Sequence, residues 1–197
     1  MGCTFNRLLV ALMVSGALLG ASHVDAADVP SASAPFLQWV RDAAGPLELG
    51  VSTKADFDAA KEQDRTITTT TYRLFPGRTG SVQRRFPVIE GKVRAIVLVF
   101  DHDERGAVPL EALRKAIGVP PTIETHRKGR TMGTTANPIQ PEDLYNHHHW
   151  CPLPGMPGTS LRVVSMIDTG QIDEIHIGVA TDEVCRKVVE RREREVR

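Results

Sequence analysis

The alternation of apolar and polar positions in this 197-residue chain changes period several times, and one pattern occurs twice. Residues 89–100 read as strand, tight turn, strand, and residues 167–179 repeat the reading with one extra residue before the glycine. After Gly91 the apolar positions are Val93, Ile96, Leu98 and Phe100; after Gly170 the same offsets hold Ile172, Ile175, Ile177 and Val179. Each copy runs into a helical segment. A duplicated sheet-plus-helix unit of this kind predicts a scaffold that presents a surface.

The rest of the pattern fills in the elements. Pro35 suits a first helical position, Phe36, Trp39, Val40 and Ala43 mark one helical face, and Gly45-Pro46 ends that helix. Ser52 or Thr53 caps a second helix, with Phe57 and Ala60 turned inward. From Thr66 the chain becomes β-branched and aromatic, which predicts a strand over 66–75, a turn at 76–80 and a return strand over 81–88. Residues 96–100 are apolar on both faces and predict a central strand. A helix follows from Pro109, with Leu110, Leu113 and Ile117 as its stripe and Gly118 as its stop. Further strands are expected around a Lys128-Gly129 turn, over 145–151, and over 161–167 and 172–179, with loop at 133–143. Thr181 caps a last helix with Val184, Cys185 and Val188 inward, and the charged residues 190–197 are expected to project or fray. The fold class expected is α+β: two tandem units, each with helices on one face of antiparallel sheet.

The first residues look like an address. Arg7 precedes an apolar run over 8–19, and Val24-Asp25-Ala26 offers small residues to a signal peptidase. The run is shorter than the ~20 residues a permanent spanning helix needs. The expected organisation is a signal peptide at 1–26, a leader and short helix at 27–46, a first α+β unit at 47–118 and a second with a C-terminal helix at 119–197. The expected location is the periplasm, with no stable membrane span after cleavage near Ala26. Cleavage removes Cys3 and leaves Cys151 and Cys185, which in an oxidising compartment are expected to pair.

Charge narrows the function classes. Twenty-four Lys and Arg balance 24 Asp and Glu, which argues against a dedicated nucleic-acid binder. His126-Arg127-Lys128-Gly129-Arg130 is a local basic cluster and reads as a solvated hairpin tip. Asp101-His102-Asp103-Glu104-Arg105-Gly106 echoes a calcium loop but has Ala112 where the bidentate glutamate must stand.

Several short segments resemble a known fold group. Residues 50–57, Gly-Val-Ser-Thr-Lys-Ala-Asp-Phe, are similar to the helix-opening segment of the β-lactamase inhibitor protein and the small lipoprotein subunit of the β-barrel assembly machinery. Ile117-Gly118-Val119-Pro120 resembles the close of their helices. Trp150, Leu161-Arg162-Val163 and Gly170-Gln171-Ile172 resemble their tryptophan, strand and hairpin. The lipobox of the assembly subunit is absent. The resemblance spans most of 47–180 as two tandem units and implies an exported, non-enzymatic protein that binds another protein across a concave sheet.

The strongest site candidate is His147-His148-His149-Trp150-Cys151. On a strand, alternation puts His147, His149 and Cys151 on one face, a zinc- or copper-like donor set with Met156 as a possible fourth ligand. A Cys151–Cys185 disulfide would remove the thiolate. No nucleophile elbow, zinc-protease motif or phosphate-cradling glycine loop is present, so no enzyme and no cofactor are expected. The leading expectation is a periplasmic module that binds another protein of the cell envelope, as inhibitor, immunity-type neutraliser or adaptor. Candidate contact residues are Tyr72, Phe75, Tyr145 and Trp150 as aromatic anchors, and His176 on the outer face of the second hairpin. A metal-binding protein centred on His147, His149 and Cys151 is the alternative.

Overall fold

The computed structural model describes residues 31–75, 77, 79–125 and 145–195. The expected signal peptide at 1–26, the basic cluster at 126–130, the turn at Lys128-Gly129 and the loop at 133–143 lie outside the described residues. In chain order the elements are α1 (Ala34–Ala44), α2 (Lys54–Gln63), β1 (Thr69–Arg73), β2 (Thr79–Arg85), β3 (Val88–Ile89), β4 (Lys92–Val93) and β5 (Ala95–Phe100). They continue with α3 (Leu110–Ile117), β6 (Ile123–Thr125), β7 (Tyr145–Trp150), β8 (Thr159–Met166), β9 (Ile172–Val179) and α4 (Asp182–Glu195).

The class is α+β, as the pattern predicts. Seven strands form one antiparallel sheet in the order β1-β2-β5-β9-β8-β7-β6, and β3 and β4 form a separate two-stranded ribbon. The two copies of the repeated pattern meet directly, because β5 of the first pairs with β9 of the second. The sheet is therefore continuous across the expected boundary at 118–119.

The repeat buries the same offsets in both copies. Val93, Ile96, Leu98 and Phe100 are buried, as are Ile172, Ile175 and Ile177; only Val179 is half-exposed. The turns differ, and the extra residue is the reason. In the first copy Glu90 (φ 52°) and Gly91 (φ 74°) both take the left-handed region, as a two-residue turn whose twist matches the strands requires. The second copy needs positive φ only at Gly170, whose N–H donates to Met166 O at 2.9 Å across a longer loop. The first copy is also interrupted. The long partner of β5 is β2, in the register Arg85↔Val97 to Val82↔Phe100, so the β3–β4 ribbon is an excursion between them.

One face of the sheet is the core. Helix α1 carries Pro35 in its first turn, buries Phe36, Leu37, Trp39, Val40 and Ala43, and stops at Gly45. Its aromatics meet Phe75: the Phe36 and Phe75 rings stand edge-on at 5.4 Å, and Trp39 Nε1 donates to Arg73 O at 2.8 Å. Leu113 and Ile117 of α3 join the same cluster, and Gly118 closes that helix with φ 75°. Helix α2 is capped by Thr53 rather than Ser52. Thr53 Oγ1 accepts from Asp56 N–H, and Asp56 Oδ2 accepts from Thr53 N–H at 2.7 Å. It buries no residue completely; Phe57 and Ala60 are half-buried, with the Phe57 ring 5.3 Å from Phe86.

The fourth helix departs from the expectation of helices on one face. Val184, Lys187 and Val188 of α4 stand over His149, Arg162, His176 and Gly178, which point away from the core. The Cys151–Cys185 disulfide, Cα–Cα 5.4 Å, ties the helix to the end of β7 on that side. Helix α4 continues through Glu195 rather than fraying after Val189. Among the described residues, no helix is long and apolar enough to cross a membrane.

Candidate binding face

Antiparallel register decides which side chains share the face opposite the core, because paired residues point the same way. One row across the sheet is Arg85, Val97, His176, Arg162, His149 and Ile123. The next is Gln83, Val99, Glu174, Val164 and His147. Three imidazoles, two arginines and one carboxylate are thus brought onto one face from four strands.

The centre of this face is a bonded cluster. His176 Nε2 lies 2.7 Å from a Glu174 carboxylate oxygen, and Arg162 Nη2 lies 2.9 Å from His176 Nδ1. The same Nη2 also lies 2.8 Å from Nε2, so the guanidinium meets both ring nitrogens. The hydrogen bond from His176 holds the Glu174 carboxyl below its ordinary value, aided by the charges of Arg162 and Arg85 and opposed by burial.

Helix α4 covers only part of this face and leaves a groove of about 670 Å³ between itself and the sheet. The floor carries Arg162, His149 and His176, and the walls carry Val184 and Val188 on α4 and Ile89 on the ribbon. Ile89 and Val184 are among the few large apolar side chains left exposed, at 57% and 39%. The acids on the lining, Glu90 and Glu183, stand in ion pairs with Arg94 at 3.2 Å and Lys187 at 2.6 Å.

Alternation along β7 holds: His147 and His149 take one face while His148 and Trp150 are buried on the other. Cys151, however, is bonded to Cys185, so the thiolate of the metal alternative is gone. Among the described residues, no group of three or more His, Cys, Asp or Glu side chains stands close enough to hold a metal ion.

The aromatic anchors fare differently from the expectation. Trp150 is 1% exposed, with Nε1 donating to Val119 O at 3.0 Å, so it is a core residue and not a contact. Phe75 is half-buried against Phe36 and Trp39. Tyr145 is half-buried with its hydroxyl bonded to Asp173, whose carboxylate pairs with Arg105 at 2.6 Å; burial and the Asp173 charge push the phenol up. Tyr72 lies on β1, its side chain outside the described residues. His176 is where the pattern places it, half-exposed on the outer face.

A second polar constellation was not visible in the sequence. On the core side His148 Nε2 stands 3.0 Å from Ser165 Oγ, and Nδ1 stands 2.7 Å from Glu124 Oε1 and 3.1 Å from Arg114 Nη2. Arg114 is also ion-paired with Glu124. The order serine, histidine, carboxylate is that of a nucleophilic triad. Ser165 and His148 are each only 1% exposed, so a substrate carbonyl cannot reach the hydroxyl. The network instead satisfies polar groups that folding has buried. The inward phase of His148 was legible, but its partners come from β6, β8 and α3.

Comparison with family models, with curated proteins and with solved structures finds no match.

Proposed function

We propose that this chain is an exported, non-enzymatic protein-binding module of the periplasm, an inhibitor, immunity-type neutraliser or envelope adaptor. It docks another protein of the cell envelope on the outer face of β2, β5 and β9. The observation that carries the reading is the two-sidedness of the sheet: one face is closed by α1 and α3, while the other keeps the half-exposed His176 and Glu174 and the exposed Arg85 and Gln83 in register. The signal-peptide-like sequence of residues 1–26 and the Cys151–Cys185 disulfide support export, since disulfides persist in oxidising compartments. The resemblance to the β-lactamase inhibitor protein group supports a sheet used as a docking surface.

The mechanism is steric and electrostatic complementarity. With Trp150 in the core and Phe75 packed edge-on against α1, recognition falls to Arg85, His176 and Glu174, a pattern of charge and hydrogen-bonding groups in register on the sheet.

The test is affinity capture from periplasmic extract with the wild-type chain and an Arg85→Glu/His176→Glu variant of equal thermal stability. A stoichiometric partner held by the wild type and lost by the variant is expected. Equal retention by both, or no partner across several growth conditions, overturns the proposal. Accumulation of uncleaved chain in the cytoplasm overturns the location.

A further inference from the structure

We propose that the edge of β1 pairs antiparallel with β1 of a second copy of this chain, about a two-fold axis at Thr70. This goes beyond the docking role of the outer face, since it concerns the rim of the sheet and leaves that face open.

The sheet has two edges, and they differ in protection. Strand β6 is three residues long and has α4 packed against it. Strand β1 is five residues long and runs along β2 without a bulge. Residues 66–75 contain no proline and no lysine, and Arg73 is their single charge. Proline, lysine and bulges are devices that keep edge strands from pairing, and β1 has none of them. Its run of threonines favours extended backbone.

Phase decides which backbone groups this edge offers. Arg84 N–H donates to Thr68 O at 2.9 Å, so Thr68 and Arg84 form a hydrogen-bonded pair. By alternation Thr70 and Tyr72 also bond to β2, and the N–H and C=O groups of Thr69, Thr71 and Arg73 point the other way. The Arg73 carbonyl agrees with this phase, for it accepts from Trp39 Nε1 of α1. Thr69 and Thr71 therefore present donor and acceptor on the rim, where the sheet has no further strand among the described residues. Such a pattern is self-complementary. Thr69 meets Thr71 of the second copy and Thr71 meets Thr69 of the second copy, each pair exchanging both bonds.

The ends of this ladder match in charge. In the same register residues 73–75 stand opposite residues 65–67 of the second copy. Beside residues 73–75 lies a hollow of about 240 Å³, lined by Trp39, Asp42, Arg73 and Phe75, with Asp42 and Arg73 exposed. The 3₁₀ turn at Arg65–Ile67 carries the exposed Arg65, with the exposed Asp64 before it. Pairing brings Asp42 to Arg65 of the second copy and Arg73 to Asp64 of the second copy, opposite charges in both cases. Asp42 and Asp64 each use Oδ1 for a bond within the chain, to Gln38 and Thr66, and a carboxylate accepts further donors on its second oxygen. A two-fold axis normal to the sheet repeats both pairs at the other end and sets the two outer faces on the same side.

The experiment is sedimentation equilibrium of the oxidised full chain over a wide range of concentration, with amide exchange read by NMR. A monomer–dimer equilibrium is expected. The amides of Thr69 and Thr71 should gain protection as the dimer forms, while those of Thr70 and Tyr72 are protected throughout. Thr71→Pro removes only an outward N–H, at a position where an edge strand accepts proline. It is expected to weaken the dimer about 10- to 100-fold, since the two-fold loses the bond twice. Asp42→Arg and Arg65→Asp are each expected to weaken it, and the double variant to restore it. Both side chains are exposed, so these variants keep the test if proline unfolds β1. A chain monomeric at every concentration overturns the proposal, as does a dimer indifferent to Thr71→Pro or one that the double variant fails to restore. So does capture of an envelope protein that is lost on Thr71→Pro while the chain alone stays monomeric, which would assign the edge to a partner's strand. The docking role is read separately, from capture lost on Arg85→Glu/His176→Glu.

Discussion

Cys151 and Cys185 join the end of β7 to α4 on the sheet face opposite α1 and α3, across a sequence separation of 34 residues. Only Cys185 and Val188 among the first residues of α4 are partly buried, and the rest of that stretch is exposed.

Closing a loop of this length is worth about 3–4 kcal/mol in the chain-entropy account. Reduction, or paired Cys151→Ser/Cys185→Ser substitution, should lower stability by that amount in urea denaturation. It should also raise amide exchange in α4 ahead of the sheet. Uniform exchange across the chain after reduction would show that α4 is held by contacts other than the bond.

The His148 network makes a stability prediction distinct from a catalytic one. His148→Ala leaves the Ser165 hydroxyl and the Glu124–Arg114 pair without a shared partner and opens space in the core. A loss of about 1–3 kcal/mol is expected. Ser165→Ala should cost less, since the hydroxyl forms one contact of the set. Both are measured as shifts in urea midpoint at constant slope.

Glu174 gives the acid limb of the stability profile. Its folded carboxyl is held below its ordinary value of 4.5, chiefly by the His176 hydrogen bond. A depressed folded value means stabilisation that is complete above the unfolded value and is lost as pH falls through the folded one. Stability should therefore decline below pH 4.5, and Glu174→Gln should flatten part of that decline. Thermal melts of both proteins between neutral and acid pH make the comparison.

Tyr145 acts in the opposite sense. Burial and Asp173 raise its phenol above the ordinary 10.0, so the folded state disfavours the phenolate. The neutral form stabilises the fold below that value, and stability should fall as pH rises through it. Tyr145→Phe should remove this alkaline slope, read by denaturation at neutral and alkaline pH.

Much of the site geometry rested on phase, and phase was legible. Alternation alone placed His147 and His149 opposite His148 and Trp150, and the offsets after Gly91 and Gly170 named the inward residues of both hairpins. The capping region of α2 and the stop at Gly118 were equally local. Trp150 as an anchor was a different kind of expectation. An indole on a strand has one phase but two possible fates, and its hydrogen bond to Val119 O shows that core packing took it.

The sequence by itself determined the α+β class and the faces of its strands, because these depend on neighbours a few residues apart. Tertiary structure alone decided that β5 pairs with β9, that α4 crosses to the outer face, and that Arg162, His176 and Glu174 converge there. It also decided that Ser165, His148 and Glu124 meet inside the core. Strand order and register join residues far apart in the chain, and no local period encodes them.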